Sequence, residues 1–112
     1  MDYLGPLQVR IMQHVWRNGP STVHDVHDAL NALPGSKQLA YTTILTVMRS
    51  LAKRNLLNQE PVGRFHRFSP LVEQDVFNKV MVVKLCDELF EGKDAELVAC
   101  LERSRKDPPP EL

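Results

Sequence analysis

A polar helix face without any acidic residue is predicted between Tyr41 and Arg54. The apolar side chains of this segment follow the i, i+3, i+4, i+7 spacing of a helix that packs against a core. These core-facing positions are Ile44, Val47, Met48 and Leu51. The opposite face carries short hydroxyl and basic side chains, namely Thr42, Thr43, Thr46, Arg49, Ser50 and Lys53. Threonine can contact base edges in a DNA major groove and basic side chains neutralise phosphates, so this face has the chemistry of a helix that binds double-stranded DNA.

Basic side chains recur in residues 56–70, which have the pattern of a β-hairpin. An extended run begins with two leucines, the sequence EPVG at residues 60–63 forms a turn-rich centre, and a proline closes the segment. Arg64 and Arg67 are therefore expected near the tip of the hairpin. In that position they suit contact with phosphates or with a minor groove.

Charge is unevenly distributed although the net charge is zero. Residues 1–70 contain eight Lys/Arg and four Asp/Glu, whereas residues 71–112 contain six Lys/Arg and ten Asp/Glu. A basic part of the molecule would steer DNA to that part alone. Chance scatter of charge is the alternative interpretation.

Further helices are predicted before the basic helix and after the hairpin. Gly19-Pro20 ends the first helix, Pro34-Gly35-Ser36 forms a turn after the second, and Gly92 stops the fourth. The DPPPEL tail is not helical, and we expect it to be disordered. The predicted helices are about Pro6–Asn18, a second from Ser21 or Thr22 to the end of VHDVHDALNAL, Tyr41–Arg54, Leu71–Phe90 and Asp94–Arg105.

The order helix, helix, helix, hairpin predicts a mainly α fold with a small β-hairpin. It is the layout of a winged helix-turn-helix DNA-binding domain at residues 1–70, followed by a helical region at residues 71–112 with a disordered tail. The fourth helix would be roughly 30 Å long at 1.5 Å per residue. Its apolar stripe is too wide for a helix half exposed on a small monomer.

Composition excludes several other classes of protein. A chain of 112 residues with 43% hydrophobic and 25% charged residues fits one compact domain with at most a small appendage, and disorder throughout is excluded. No apolar run approaches the ~18 residues of a membrane span, and the N-terminus lacks the pattern of a signal peptide. Two cysteines, Cys86 and Cys100, in apolar helical surroundings are typical of reduced thiols in a cytoplasmic protein.

Motifs of catalysis and of metal binding are not found, so neither an enzyme nor a cofactor is expected. His24 and His27 are three residues apart on one helix, a spacing that zinc ligands sometimes use. No other ligand converges on them, and an exposed helix face is the default interpretation. Tyr41 opens the third helix, where contact with a phosphate and packing as an aromatic side chain are equally open. Cys86 is interpreted as a small apolar filler.

Four stretches resemble the penicillinase-repressor (BlaI/MecI/CopY) family of winged-helix transcriptional repressors. They are LGPLQVRIMQHVW, STVHDVHDAL, LAYTTILTVMRSLAKRNLL and GRFHRFSP, and the resemblance covers about residues 4–105. The most specific pieces are AYTTILTVMRSL at 40–51 and GRFHRFSP at 63–70.

The resemblance implies a homodimer that represses transcription by binding a palindromic operator. Base contacts fall to Thr42, Thr43 and Thr46, and the wing role falls to Arg64 and Arg67. Backbone contacts fall to Arg49, Ser50 and Lys53. The helices after the wing are implied to form the dimer interface, for which the apolar positions are Val76, Val80, Val83, Leu85, Leu89, Phe90, Leu97 and Leu101.

Three departures from the family pattern limit what can be carried over. The family usually has a further amphipathic helix after the segment that matches 94–105, where this sequence has DPPPEL. Relatives that respond to β-lactams are inactivated by proteolysis within the dimerisation region, at a bond whose match would lie near Cys100-Leu101. The residues here do not reproduce that type of site, so an inactivating protease or sensor stays an open alternative. Copper-responsive relatives have a Cys-x-Cys pair that is absent here, and we expect no copper or zinc switch. A winged helix that binds proteins without specific DNA binding is the alternative function.

Overall fold

The computed structural model describes residues 1–35 and 37–111, in which there are five α-helices and a three-stranded antiparallel sheet. The chain divides into two compact units, residues 2–74 and residues 75–112 together with residue 1. The predicted turn at 34–36 includes Ser36, which lies outside the described residues, as does Leu112 at the end of the tail. In chain order the elements are α1 (Pro6–Asn18), β1 (Ser21–Thr22), α2 (Val23–Asn31), α3 (Tyr41–Lys53), β2 (Leu57–Val62), β3 (Phe65–Pro70), α4 (Gln74–Phe90) and α5 (Asp94–Lys106).

The start of α2 is set by Thr22, which confirms one of the two predicted caps. The Asp25 N–H donates to Thr22 Oγ1 at 3.1 Å, and the Thr22 N–H donates to Asp25 Oδ2 at 2.9 Å. This capping box satisfies two backbone N–H groups that would otherwise lack partners at the helix end. Ser21, the other candidate cap, instead belongs to β1, and its hydroxyl donates to the Gly19 carbonyl.

The hydrophobic core of residues 2–74 lies between α1, α2, α3 and one face of the sheet. Three of the four apolar positions predicted on the third helix are fully buried, while Val47 is half-buried. Phe68 is buried whereas the preceding Arg67 is exposed, because successive side chains of a strand face opposite sides of the sheet. The buried apolar residues are Ile11, Met12, Val15, Val23, Val26, Leu30, Ile44, Met48, Leu51, Leu56, Leu57 and Phe68.

The sheet has the strand order β1-β3-β2, so the predicted hairpin is confirmed and gains a third strand. β2 and β3 pair from Leu57 with Pro70 to Val62 with Phe65. The predicted turn at 60–63 was too wide, because β2 continues through Pro61 and only residues 63–64 form the turn. Proline is tolerated there since β2 is an edge strand, where a missing N–H breaks no ladder bond on the open side.

A left-handed residue ends α3 and turns the chain into β2. Asn55 has φ +61°, the Asn55 N–H donates to the Ala52 carbonyl, and the Leu56 N–H donates to the Leu51 carbonyl. These two bonds define a Schellman motif, and its usual apolar contact is supplied here by Leu51 and Leu56, both fully buried. The motif sets the direction in which the wing leaves the helix.

The fourth helix begins three residues later than predicted, at Gln74 instead of Leu71. Residues 71–73 form a connector between β3 and α4, and hydrogen bonds attach it to other parts of the winged-helix unit. The Leu71 N–H donates to the Leu56 carbonyl at 3.0 Å, and Trp16 Nε1 donates to the Val72 carbonyl at 2.9 Å. Sequence periodicity does not reveal these hydrogen bonds, because the bonded residues are far apart in the chain.

The unit of residues 75–112 contains α4 and α5, which are joined by residues 91–93. Glu91 and Gly92 are left-handed, with φ +53° and +76°, and the Gly92 N–H donates to the Cys86 carbonyl. The predicted stop at Gly92 is therefore confirmed, and α5 runs one residue beyond its predicted end. Within the described residues no helix is both long enough and apolar enough to cross a membrane.

Candidate nucleic-acid interface

The outer face of α3 presents the predicted hydroxyl and basic side chains together. Ser50 is half-buried, and the other five are exposed: Thr42, Thr43, Thr46, Arg49 and Lys53. The Thr46 hydroxyl donates to the Thr42 carbonyl at 2.9 Å. Thr46 therefore has its methyl group and the lone pairs of its hydroxyl oxygen left for an external partner, a combination that suits contact with a thymine methyl.

Asn31 holds the loop that leads into α3, whose own N-cap Ala40 has no capping side chain. Asn31 Nδ2 donates to the Leu39 carbonyl at 2.9 Å, and the Leu39 N–H donates to Asn31 Oδ1 at 2.7 Å. The side-chain amide thus pairs with both backbone groups of one residue, as a neighbouring strand would. Sequence reasoning missed Asn31, because an asparagine near the end of a helix does not reveal which backbone groups it meets.

The wing is the β2–β3 hairpin, residues 57–70, and its two arginines differ in their partners. Arg64 lies in the turn at the tip, as the sequence predicts, and is exposed. Arg67 lies directly opposite Glu60 across the strands, and its Nη2 is 3.3 Å from Glu60 Oε1. An exposed pair of this kind contributes only about 0–1 kcal/mol, so it leaves Arg67 available to a stronger anion. Arg64 forms no ion pair within the described part of the chain.

A small cleft lies where α2, α3 and the tip of the wing meet. Its volume is about 120 Å³. The His24 ring contacts two other rings beside it, with its centroid 4.7 Å from that of Tyr41 and 5.8 Å from that of Phe65. Tyr41 packs against His24, which confirms the packing interpretation, and contact with a phosphate stays a prediction. The lining residues are Thr22, Val23, His24, Tyr41, Leu45, Arg49, Arg64, Phe65 and His66.

Both histidines of α2 have protein partners. His24 takes part in the ring contacts with Tyr41 and Phe65, whereas His27 Nδ1 lies 3.1 Å from Asp28 Oδ1 and the His27 ring centroid lies 6.2 Å from that of Tyr41. Within residues 1–35 and 37–111 no group of three or more potential ligands is arranged to hold a metal ion.

The apolar side chains predicted for a dimer interface lie on α4 and α5. Val76, Val80, Val83, Leu89 and Leu101 are between 39% and 68% exposed. The other three are half-buried: Leu85, Phe90 and Leu97. Exposed apolar side chains that follow one another along a helix are typical of a surface that another protein covers.

This arrangement of elements defines a winged helix-turn-helix protein. The helices α2 and α3 form the helix-turn-helix, and the strands β2 and β3 form the wing. The chain belongs to the penicillinase repressor family, whose model matches residues 4–111. This membership confirms the resemblance inferred from the four sequence stretches.

Two curated relatives carry the same name. The chain is 39% identical over 93 residues to the transcriptional regulator BlaI from Mycobacterium tuberculosis, in strains CDC 1551 and H37Rv. The match covers 82% of this chain but 63% of the relatives, so the chain spans less than two thirds of their length.

Solved structures show the same fold at low sequence identity. A MarR family protein from Bacillus stearothermophilus superimposes with a TM-score of 0.56 at 16% identity, covering 94% of this chain and 73% of that one. The transcriptional regulator PA4135 gives 0.52 at 14% identity, covering 95% and 80%. At these identities the likeness supports the winged-helix fold alone.

Proposed function

We propose that this protein is a transcriptional repressor that binds a two-fold symmetric DNA operator as a homodimer. The observation that carries the proposal is the exposed face of α3, on which threonines and basic residues stand together without an acidic side chain. A face of this kind fits a major groove, while Arg64 at the wing tip reaches the flanking backbone. Membership of the penicillinase repressor family supports repression of transcription, and the name of the M. tuberculosis relatives supports transcriptional regulation.

Selection of bound duplexes from a random DNA pool tests this function. The selected duplex is then titrated against unrelated DNA at two salt concentrations. We expect a palindrome whose half-sites lie one helical turn apart, bound at least about 10³-fold more tightly than unrelated DNA. Equal and weak binding to every duplex would contradict the proposal and favour the protein-interaction alternative.

Two substitutions on α3 separate the roles of its side chains. Lys53→Ala is expected to weaken binding to every duplex and to lower the salt slope by about one unit. Thr43→Ala is expected to change discrimination at one or two base pairs, by roughly 1–3 kcal/mol at most. A uniform loss of affinity from the threonine substitution would contradict the role assigned to Thr43.

The charge pattern of α4 supports a two-fold arrangement of this helix with a second copy. Val80 and Val83 line a groove whose edges carry charged side chains, among them Lys79 and Asp87. Lys79 lies four residues before Val83 and Asp87 lies four residues after it. A two-fold axis near Val83 would therefore set Lys79 opposite Asp87 of the partner subunit, with the valines between the helices.

A charge swap tests that arrangement. Lys79→Asp and Asp87→Lys, made singly, place like charges across the axis and are expected to raise the dimer dissociation constant. The double substitution restores opposite charges and is expected to restore dimerisation in analytical ultracentrifugation. Asn78→Asp, on the same helix, serves as the control. Monomers of the unmodified protein at ~100 μM would overturn the homodimer itself.

A further inference from the structure

We propose that the cleft between α2, α3 and the wing holds one backbone phosphate of the bound DNA, and that Arg49 and Arg64 share it. The inference rests on the proposed function, because it assigns a DNA phosphate to a site within the same interface. It goes further in joining two arginines from different elements into one anion site, to which Tyr41, His24 and His66 add polar groups.

The two arginines line the same cleft although they belong to different elements. Arg49 lies on α3 and Arg64 in the turn of the wing, and both line the same cleft of about 120 Å³. A small cleft of this kind suits a tetrahedral anion held at its mouth.

Charge around the cleft favours an anion. No carboxylate lines it in the described part of the chain. The acidic side chains on neighbouring segments have protein partners: Asp25 pairs with Thr22 in the capping box of α2, Asp28 lies beside His27, and Glu60 pairs with Arg67. Arg49 and Arg64, which both line the cleft, carry like charges, so an anion bound there is attracted to both and can accept hydrogen bonds from both.

The remaining polar lining consists of groups that can donate to a phosphate. The Tyr41 hydroxyl and the imidazole N–H groups of His24 and His66 are of this kind. A phosphodiester has two charged oxygens with several lone pairs, which allows two planar guanidinium groups to bind it at once. A base edge lacks the charge to hold both.

Ring contacts hold the wing beside α3 before DNA arrives. The His24 ring packs at 81° against Phe65, the residue that follows Arg64, and at 45° against Tyr41, the first residue of α3. His24 thereby joins the wing to the start of the recognition helix. A site arranged in advance loses less conformational freedom on binding, which strengthens the bond to its ligand.

A double-mutant cycle with salt titration distinguishes one shared phosphate from two separate ones. Each phosphate neutralised contributes about 0.9 to the slope of log K against log[salt]. For one shared phosphate, the variant with both Arg49→Gln and Arg64→Gln is expected to lower the slope by about 0.9 in total. Its loss of affinity is also expected to be at least about fivefold smaller than the product of the two single losses.

A second pair of variants is the matched control. Lys53 does not line the cleft. Combining Lys53→Gln with Arg64→Gln is therefore expected to give multiplicative losses of affinity and a slope change equal to the sum of the two single changes. Circular dichroism and thermal melting of each variant check that these exposed substitutions leave the fold unchanged.

The outcomes separate the inference from the proposed function. Suppose the unmodified protein binds a selected palindrome tightly, while the Arg49 and Arg64 losses multiply and the slope falls by about 1.8. Separate phosphates would then be established, and only the shared site would be overturned. If the unmodified protein shows no preference for any duplex, the proposed function fails and the site within it fails too. If the affinity loss of the double variant is smaller than the product of the single losses and its slope falls by about 0.9, the result supports both the proposed function and the shared site.

Discussion

Replacing Asn31 by alanine should destabilise the winged-helix unit markedly, although the side chain is only half-buried. The substitution removes two hydrogen bonds to Leu39, of 2.7 and 2.9 Å, and leaves both backbone groups of Leu39 without those partners. Each bond contributes about 0.5–1.5 kcal/mol net, so the expected loss is about 1–3 kcal/mol. For a domain of this size, a loss of 2 kcal/mol lowers Tm by about 8–16 °C.

Urea unfolding followed by tryptophan fluorescence measures this loss. Trp16 is the single tryptophan of the chain, and it lies in the same unit as Asn31. Protein concentration must be held constant, since dimerisation would otherwise change the apparent stability. Asn58→Ala is the matched control, because Asn58 is exposed on β2 and its substitution is expected to change stability by no more than about 0.5 kcal/mol.

The isosteric variant Asn31→Asp separates shape from hydrogen bonding. It keeps the volume of the side chain and the acceptor for the Leu39 N–H, but it replaces the donor by an oxygen that faces the Leu39 carbonyl. We expect it to be destabilised as well. An Asn31→Ala protein within about 0.5 kcal/mol of the unmodified protein would refute the reasoning, because the loop would then be held by other contacts.

Three further predictions concern single side chains. Burial, and then the hydrogen bond to Asp94 at 3.3 Å, raise the pKa of the Cys86 thiol. Cys86 should therefore be alkylated more slowly than Cys100 at pH 8, as measured by mass spectrometry. Asp94→Asn should reduce this difference in alkylation rate. Because the folded protein holds that proton more tightly, stability should fall as pH rises above the ordinary thiol range; a rise would reverse the sign. Asn55→Val places a β-branched side chain at φ +61° and should cost at least about 1 kcal/mol in urea unfolding, whereas Asn55→Gly should be nearly neutral. Glu91→Gly, at φ +53°, should stabilise the α4–α5 unit by about 0.5–1 kcal/mol, and a lower Tm would contradict the strain assigned to Glu91.

Local patterns were sufficient to predict α1, the polar face of α3 and the family. The bounds of α1 follow from Pro6 and from the Gly19-Pro20 stop, both of which act on the backbone of their own neighbours. The face of α3 follows from helical periodicity, because side chains three and four residues apart lie on one side whatever surrounds the helix. The family was likewise predicted from contiguous stretches of sequence, and the comparison confirms it.

Interactions between distant residues decided the rest. The third strand exists because Ser21 and Thr22 pair with Phe68 and Arg67, more than forty residues away. The late start of α4 depends on Trp16 reaching Val72.

The composition of the candidate interface also depended on tertiary structure. The sequence alone determined that α3 has a basic, acid-free face and that the wing has arginines. Only the fold decided that Arg67 faces Glu60, that Asn31 holds Leu39, and that His24 brings the wing and α3 together. The physical reason is that side-chain periodicity is a property of one element, whereas hydrogen bonds, ring contacts and shared clefts depend on how several elements pack.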